Sequence, residues 1–271
     1  MPSPEKSHSL PVTLEEAPRL ADYFHAGRIT LVREDLLPDG GGKKRRSLSP
    51  LLERIRPGQR IHVFSYDSSH TAYTLARLFP DQEIMLYGKA FPGGGYRQYL
   101  IRVFSGLNNL HLRHGSLVRL ACQFQGARRR HPEDYFLSPG GALPRDTAYE
   151  AAAREVRSSL DQEACHVVPV ASGNLLDALR TQFPRVVGVL TQPTAIRLWM
   201  KLQRPAVFYP RISIEARETL VRDVYRKTGY AFDPVFMGSV LAHLLQRSSG
   251  ESHLCLWVTC PSLVQDYHRT R

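Results

Sequence analysis

Nine residues concentrate the reactive chemistry of this chain: Gly40–Leu48, Gly-Gly-Gly-Lys-Lys-Arg-Arg-Ser-Leu. Three glycines allow a tight turn and leave room beside the backbone. A lysine amine held at such a turn becomes a nucleophile when burial or cationic neighbours lower its pKa. The same run also reads as a solvated basic loop, and nine residues alone favour that plainer reading. Three further stretches carry short polar residues and glycines: Asp67–Thr71, Ser138–Gly141 and Ala171–Leu175. In Ala171-Ser172-Gly173-Asn174, Gly173 permits close backbone approach and Ser172 offers a hydroxyl. A helix after them would add oriented N–H groups, which is what an anion or phosphate needs. Small residues before a helix also serve as a plain cap.

These stretches matter only if the fold brings them together. Strands are expected at Arg28–Val32, Arg60–Phe64, Glu83–Tyr87, Asn109–Leu112, Asp134–Leu137, His166–Val170, Arg185–Leu190 and Leu254–Thr259, with Val207–Ile214 extended. Pro169 is placed at a strand end or bulge. Helical patterns run over Ser49–Arg56, Thr71–Phe79, Tyr96–Phe104, Leu117–Arg129, Thr147–Leu160, Leu175–Gln182, Ile196–Leu202, Ala216–Thr228 and Gly238–Arg247. Strands alternating with helices imply an α/β protein with mostly parallel sheets. In such sheets the loops at the carboxyl ends of the strands gather ligands, and all four candidate stretches are loops of that kind. A block at about 65–137 is expected to form a smaller lobe, leaving 1–64 and 138–271 as the larger one.

Composition narrows the partners. The 271 residues carry 36 Lys and Arg against 25 Asp and Glu, a formal charge of +11. That excess suits an anionic cofactor or an acidic substrate. It has local peaks at Lys43–Arg46 and Arg128–Arg130, the latter reading as a solvated helix face. Neither has the aromatic interleaving of a single-strand-binding surface, so nucleic acid is not an expected partner. The four cysteines form no CxxC pair, so no metal site and no disulfide framework is expected. With no apolar h-region at the N-terminus and no membrane-length apolar run, a cytoplasmic protein without a membrane partner is expected.

Six short motifs, in order, add a resemblance that covers about residues 31–259. Arg33-Glu34-Asp35, Gly41–Leu48, Ser68-Ser69-His70-Thr71, Ser138–Ala142, Ala171–Asn174 and Asp233–Gly238 resemble motifs of the pyridoxal-phosphate (PLP) enzymes with the tryptophan-synthase-β-like fold, fold type II. Among these the chain looks most like the 1-aminocyclopropane-1-carboxylate deaminase / D-cysteine desulfhydrase family. The resemblance implies two lobes with twisted parallel sheets, PLP as cofactor, a small amino-acid substrate and a homodimer. It implies a lyase or deaminase reaction, by α,β-elimination or deamination, through a Schiff base at Lys44. Lys43 takes that role if the register slips by one. It further implies Ser68, with Ser69, His70 and Phe236, on the substrate side, and Ser69, Ser172, Gly173, Asn174 and Thr259 around the cofactor. For Ser68 and Ser69, helix capping is an equal alternative. For His70 and Thr259, packing and a plain strand end are the simpler readings.

Departures from the family pattern accompany these matches. Ser69 replaces an asparagine, Ala171 a glycine, Leu175 a threonine and Phe236 a tyrosine. Met237 stands at a position held by glutamate or threonine, and Pro261 where the family has glycine. A proline offers no N–H. The alternative reading is therefore a catalytically degenerate relative that binds a small ligand or partner without turnover.

Overall fold

The computed structural model describes residues 10–90, 94–137, 147–191, 207–247 and 251–270. Short β-branched and aliphatic runs build two sheets. In the larger, β1 (Leu14–Glu16) pairs antiparallel with β2 (Ile29–Arg33). Parallel strands follow in the order β10 (Leu254–Val258), β7 (Cys165–Val170), β8 (Val186–Leu190) and β9 (Val207–Phe208). All residues of β7 and β10 are buried, as expected for strands covered on both faces. Pro169 fits within β7 because the β10 ladder stops at Val167. The smaller sheet is wholly parallel, in the order β5 (Leu110–His114), β4 (Ile84–Lys89), β3 (Ile61–Tyr66) and β6 (Tyr135–Leu137). A boundary at 64/65 cuts through β3, whose residues from Ile61 on pair with β4 and β6. The expected class, mostly parallel sheets flanked by helices, is the one observed.

Ten helices flank the sheets among the described residues: α1 (Pro18–Phe24), α2 (Lys43–Leu48), α3 (His70–Leu78), α4 (Gly95–Ser105), α5 (Leu117–Arg130), α6 (Thr147–Ser159), α7 (Asn174–Arg180), α8 (Ile214–Thr228), α9 (Met237–Arg247) and α10 (Val264–Arg269). Local chemistry sets several ends. Ser213 accepts from the Ala216 N–H at 3.2 Å to start α8, and Gly229, at φ 83°, ends it. Asp233 starts α9 by accepting the N–H groups of Val235, Phe236 and Met237 at 2.9, 2.6 and 3.2 Å. One apolar cluster joins the facing sides of the two sheets, from Leu31 and Leu256 to Ile61, Leu75 and Leu86. A second packs α6 and α7 on the far face of the larger sheet. A third packs α5 on the outer face of the smaller one. The expected turn at Ser138–Gly141 and helix at Ile196–Leu202 lie outside the described residues.

Candidate active site

The glycine run is a turn laid against the end of β10. The Gly42 N–H donates to the Glu34 carbonyl at 2.7 Å, and the Gly40 carbonyl accepts from the Ser262 N–H at 2.9 Å. Gly41 and Gly42 sit at φ +65° and +79°. A Cβ on Gly41 would lie 2.3 Å from the Asp35 carbonyl oxygen. The turn therefore needs glycine for both its hand and its closeness. It launches α2, whose first N–H, that of Lys43, donates to the Thr259 carbonyl at 3.2 Å. What sequence reads as a basic loop is thus a helix with its charges sorted. Arg45 and Arg46 are buried. Arg46 pairs with buried Glu34 at 3.0 Å. Arg45 reaches Asp39 at 3.0 Å and the Ser49 hydroxyl at 2.7 Å. Lys43 and Lys44 face the other way, into a cavity of about 410 Å³ between the two sheets.

The larger sheet contributes Gly41–Lys44, Ala171, Ser172 and Thr259 to the cavity wall, and the loop before α9 adds Val235 and Phe236. The smaller sheet contributes Ser65, Tyr66, Ser68–Thr71 and Thr74, and α4 adds Tyr96 and Leu100. The wall formed by these residues holds two lysines and no Asp, Glu or Arg, which suits an anionic ligand. The Lys43 ammonium lies 5.3 Å from the centre of the Phe236 ring.

Lys44, Ser68, Ser69, His70, Ser172, Phe236 and Thr259 thus share one cavity. Gly173 and Asn174 line a small adjoining recess, which Lys43, Lys44 and Ser172 also border. Met237 is fully buried outside the lining. Ser69 precedes α3, yet its side chain makes no capping bond. Instead it accepts from the Ser65 hydroxyl at 3.1 Å at the cavity wall. Thr259 is buried, and among the described residues its hydroxyl has no hydrogen-bond partner. A buried hydroxyl left unpaired is costly, and at a cavity wall it marks where a ligand atom would complete it.

Two neighbours have shifted acidities. Burial, and then the charges of Lys43 and Lys44, pull the His70 pKa down to about 3, so its imidazole is neutral at pH 7. Its Nε2 lies 3.1 Å from the Tyr96 hydroxyl. Burial pushes Asp233, behind the wall, up to about 6, against the pull of its three backbone N–H bonds and of Lys43. The α4 side of the cavity is braced by buried Asp67, which accepts from Arg97 Nε at 3.1 Å, and by Glu218, which accepts the Tyr96 N–H at 2.9 Å. Tyr66, Thr74 and Leu100 escape sequence reasoning. Tyr66 ends a parallel strand, which is a usable signal. Thr74 and Leu100 sit inside helical patterns that read as core.

No family model matches the chain, and no curated protein matches it in sequence. Solved structures do. An ACC deaminase homologue superposes with a TM-score of 0.72 at 18% identity, covering 97% of this chain and 93% of its own. The chain has its fold. A hydrogen sulfide-producing enzyme from Fusobacterium nucleatum matches with a TM-score of 0.66 at 12% identity, over 94% of this chain and 97% of the other. The processed form of threonine deaminase isoform 2 from Solanum lycopersicum matches at 0.64 and 12%, over 92% and 83%. The architecture is fold type II of the PLP-dependent enzymes. At these identities the likeness extends to the fold and not to an activity.

Proposed function

We propose that the chain is a PLP-dependent lyase or deaminase of a small amino acid. The observation that carries this reading is the unpaired, buried Thr259 hydroxyl in the same cavity wall as Lys44 and Ser172. The residues present fit the cofactor. Lys44 would hold it covalently, Ser172 with Gly173 and Asn174 would take its phosphate, and the Thr259 hydroxyl would meet its ring nitrogen. Ser69 would offer the cofactor a further polar contact. The bound cofactor supplies an electron sink beside the substrate α-carbon. Lys44 then carries a proton to and from that carbon. Ser68 and Ser69 bind the substrate carboxylate on the side of the smaller sheet. Neutral His70 accepts or donates one hydrogen bond there without adding charge, and Phe236 packs against the substrate.

One observation favours binding without turnover. Pro261 lines the cavity, where it has no N–H to offer. The two readings separate on one protein sample. Incubation with PLP, borohydride reduction and peptide mapping place the label on Lys44 under both. Release of a 2-oxo acid from an amino acid, lost in Lys44→Ala, occurs only under the first. Labelling at Lys43 would move the anchor by one residue. No retained cofactor would reject the first reading and any binder that keeps PLP, leaving a relative that binds another small ligand or a partner.

A further inference from the structure

The charge of +11 exceeds what a cavity with two lysines requires, and it is less evenly spread than its two local peaks suggest. Residues 84–132 hold eight of the 36 Lys and Arg and none of the 25 Asp and Glu, so the other 28 and 25 nearly balance. Of the eight, Arg97 is paired with Asp67. Lys89, Arg102, Arg113, Arg119 and Arg128–Arg130 are exposed and make no ion pair among the described residues.

Five of these fall on one layer. α5 covers the outer face of the smaller sheet, with Leu120, Phe124 and Ala127 packed on Met85 and Tyr87. Arg113 stands opposite Tyr87 in the β4–β5 ladder, which puts its side chain on that outer face. Arg113 and Arg130 both act electrostatically on the Tyr87 hydroxyl. Arg119 and Arg128–Arg130 come from α5 itself, a rod about 21 Å long. Every residue from Arg113 to Arg119 is exposed. Within that run stand Leu117 and Val118, 50% and 73% exposed. The result is an apolar tip flanked by Arg113 and Arg119, with Arg128–Arg130 at the far end of α5. The nearby carboxylates, Glu83 and Glu133, sit at that far end, beside Arg60, His111 and His131.

We propose that this face docks on an anionic lipid bilayer. Leu117 and Val118 enter the headgroup region, while Arg113, Arg119 and Arg128–Arg130 contact lipid phosphates. Guanidinium groups match phosphate geometry, and basic residues combined with a small apolar insertion give reversible, salt-sensitive attachment. Among the described residues no helix is long and apolar enough to cross a membrane, and the proposed contact is a peripheral one. Nucleic acid would use the same arginines but not Leu117 and Val118. The aromatics of this layer, Tyr87 and Phe124, are also buried away from any base.

The test is sedimentation of the full chain with phosphatidylcholine vesicles, with and without about one-third phosphatidylglycerol, at about 50 and 300 mM salt. Partition onto the anionic vesicles alone, roughly tenfold weaker at the higher salt, is expected. The double variant Arg113→Glu/Arg119→Glu should lower it at least about tenfold, and Leu117→Ser/Val118→Ser about threefold or more. All four side chains are exposed, so an unchanged melting temperature verifies the fold of both variants. No partition at low salt would overturn the proposal. So would partition indifferent to Leu117→Ser/Val118→Ser, or tighter binding to a single-stranded RNA than to the vesicles.

Discussion

Two runs of basic residues, Lys43–Arg46 and Arg128–Arg130, look alike in sequence and end in opposite places. In the first, both arginines are buried and paired, and both lysines face a cavity. In the second, all three arginines stand in solvent at the end of α5, where their charge also suits the helix terminus. The difference comes from what the fold brings near. Glu34 lies twelve residues before Arg46, and only the glycine turn folds it back beneath α2. The 44 residues before Arg128 hold no carboxylate, and Glu133, three residues after Arg130, pairs with His131 instead. A short basic run therefore says little until its acidic partners are placed.

The sharpest way to break this contrast is to remove one partner from the buried pair. Arg46→Ala leaves Glu34 buried and unpaired, and should destabilise the fold by about 3–5 kcal/mol in urea unfolding. Arg129→Ala should stay within about 0.5 kcal/mol. Equal effects would mean that Arg46 is not built into the structure. Gly41→Ala attacks the turn that makes the pair possible. A left-handed non-glycine residue costs about 1–3 kcal/mol, and the contact with the Asp35 carbonyl adds to it. A fully stable Gly41→Ala would show that the turn can take another shape.

Thr259→Val probes the cavity wall at the end of β10, beside the start of α2. The near-isosteric change removes an unpaired buried hydroxyl, so the protein without ligand should melt at the same temperature or slightly higher. Its affinity for PLP should fall about tenfold, equivalent to about 1.4 kcal/mol. Unchanged affinity would detach Thr259 from the cofactor.

The smallest effect concerns His70. Its folded pKa of about 3 lies below the roughly 6.5 of an unfolded histidine. Between those values the unfolded chain binds the extra proton, so the stability present above pH 6.5 is lost as pH falls towards 3. His70→Gln should flatten this slope, losing less stability than the parent between pH 7 and 6 by under about 1 kcal/mol. Parallel pH curves would contradict a neutral, half-buried imidazole.

Much of the fold was legible because its strands are buried on both faces and read as apolar runs; β7 and β10 are the clearest cases. The short elements β1, α1 and α10 were not, since three to seven residues carry too little periodicity. α2 was hidden for a different reason. Its six residues are four basic side chains, a serine and a leucine, a pattern with no apolar stripe. The expected lobe boundary at 64/65 falls inside β3, because Ile61–Phe64 reads as a buried strand that either sheet could hold. At the candidate site, motif order singled out Lys44, Ser68–His70 and Ser172, which line one cavity. The unpaired Thr259 hydroxyl and the walls from Tyr66, Thr74 and Leu100 are tertiary facts, because they depend on two sheets meeting.

The contrast between the two basic runs rests finally on Lys44 having a task that no arginine of the chain could perform. Borohydride reduction of the protein after incubation with PLP, followed by peptide mapping, measures this directly. The cofactor should be found fixed to Lys44 in the parent and lost in Lys44→Ala, with Thr259→Val labelled only at higher cofactor concentration. A colourless parent with no label, or a label scattered over surface lysines and unchanged in Lys44→Ala, would contradict the account.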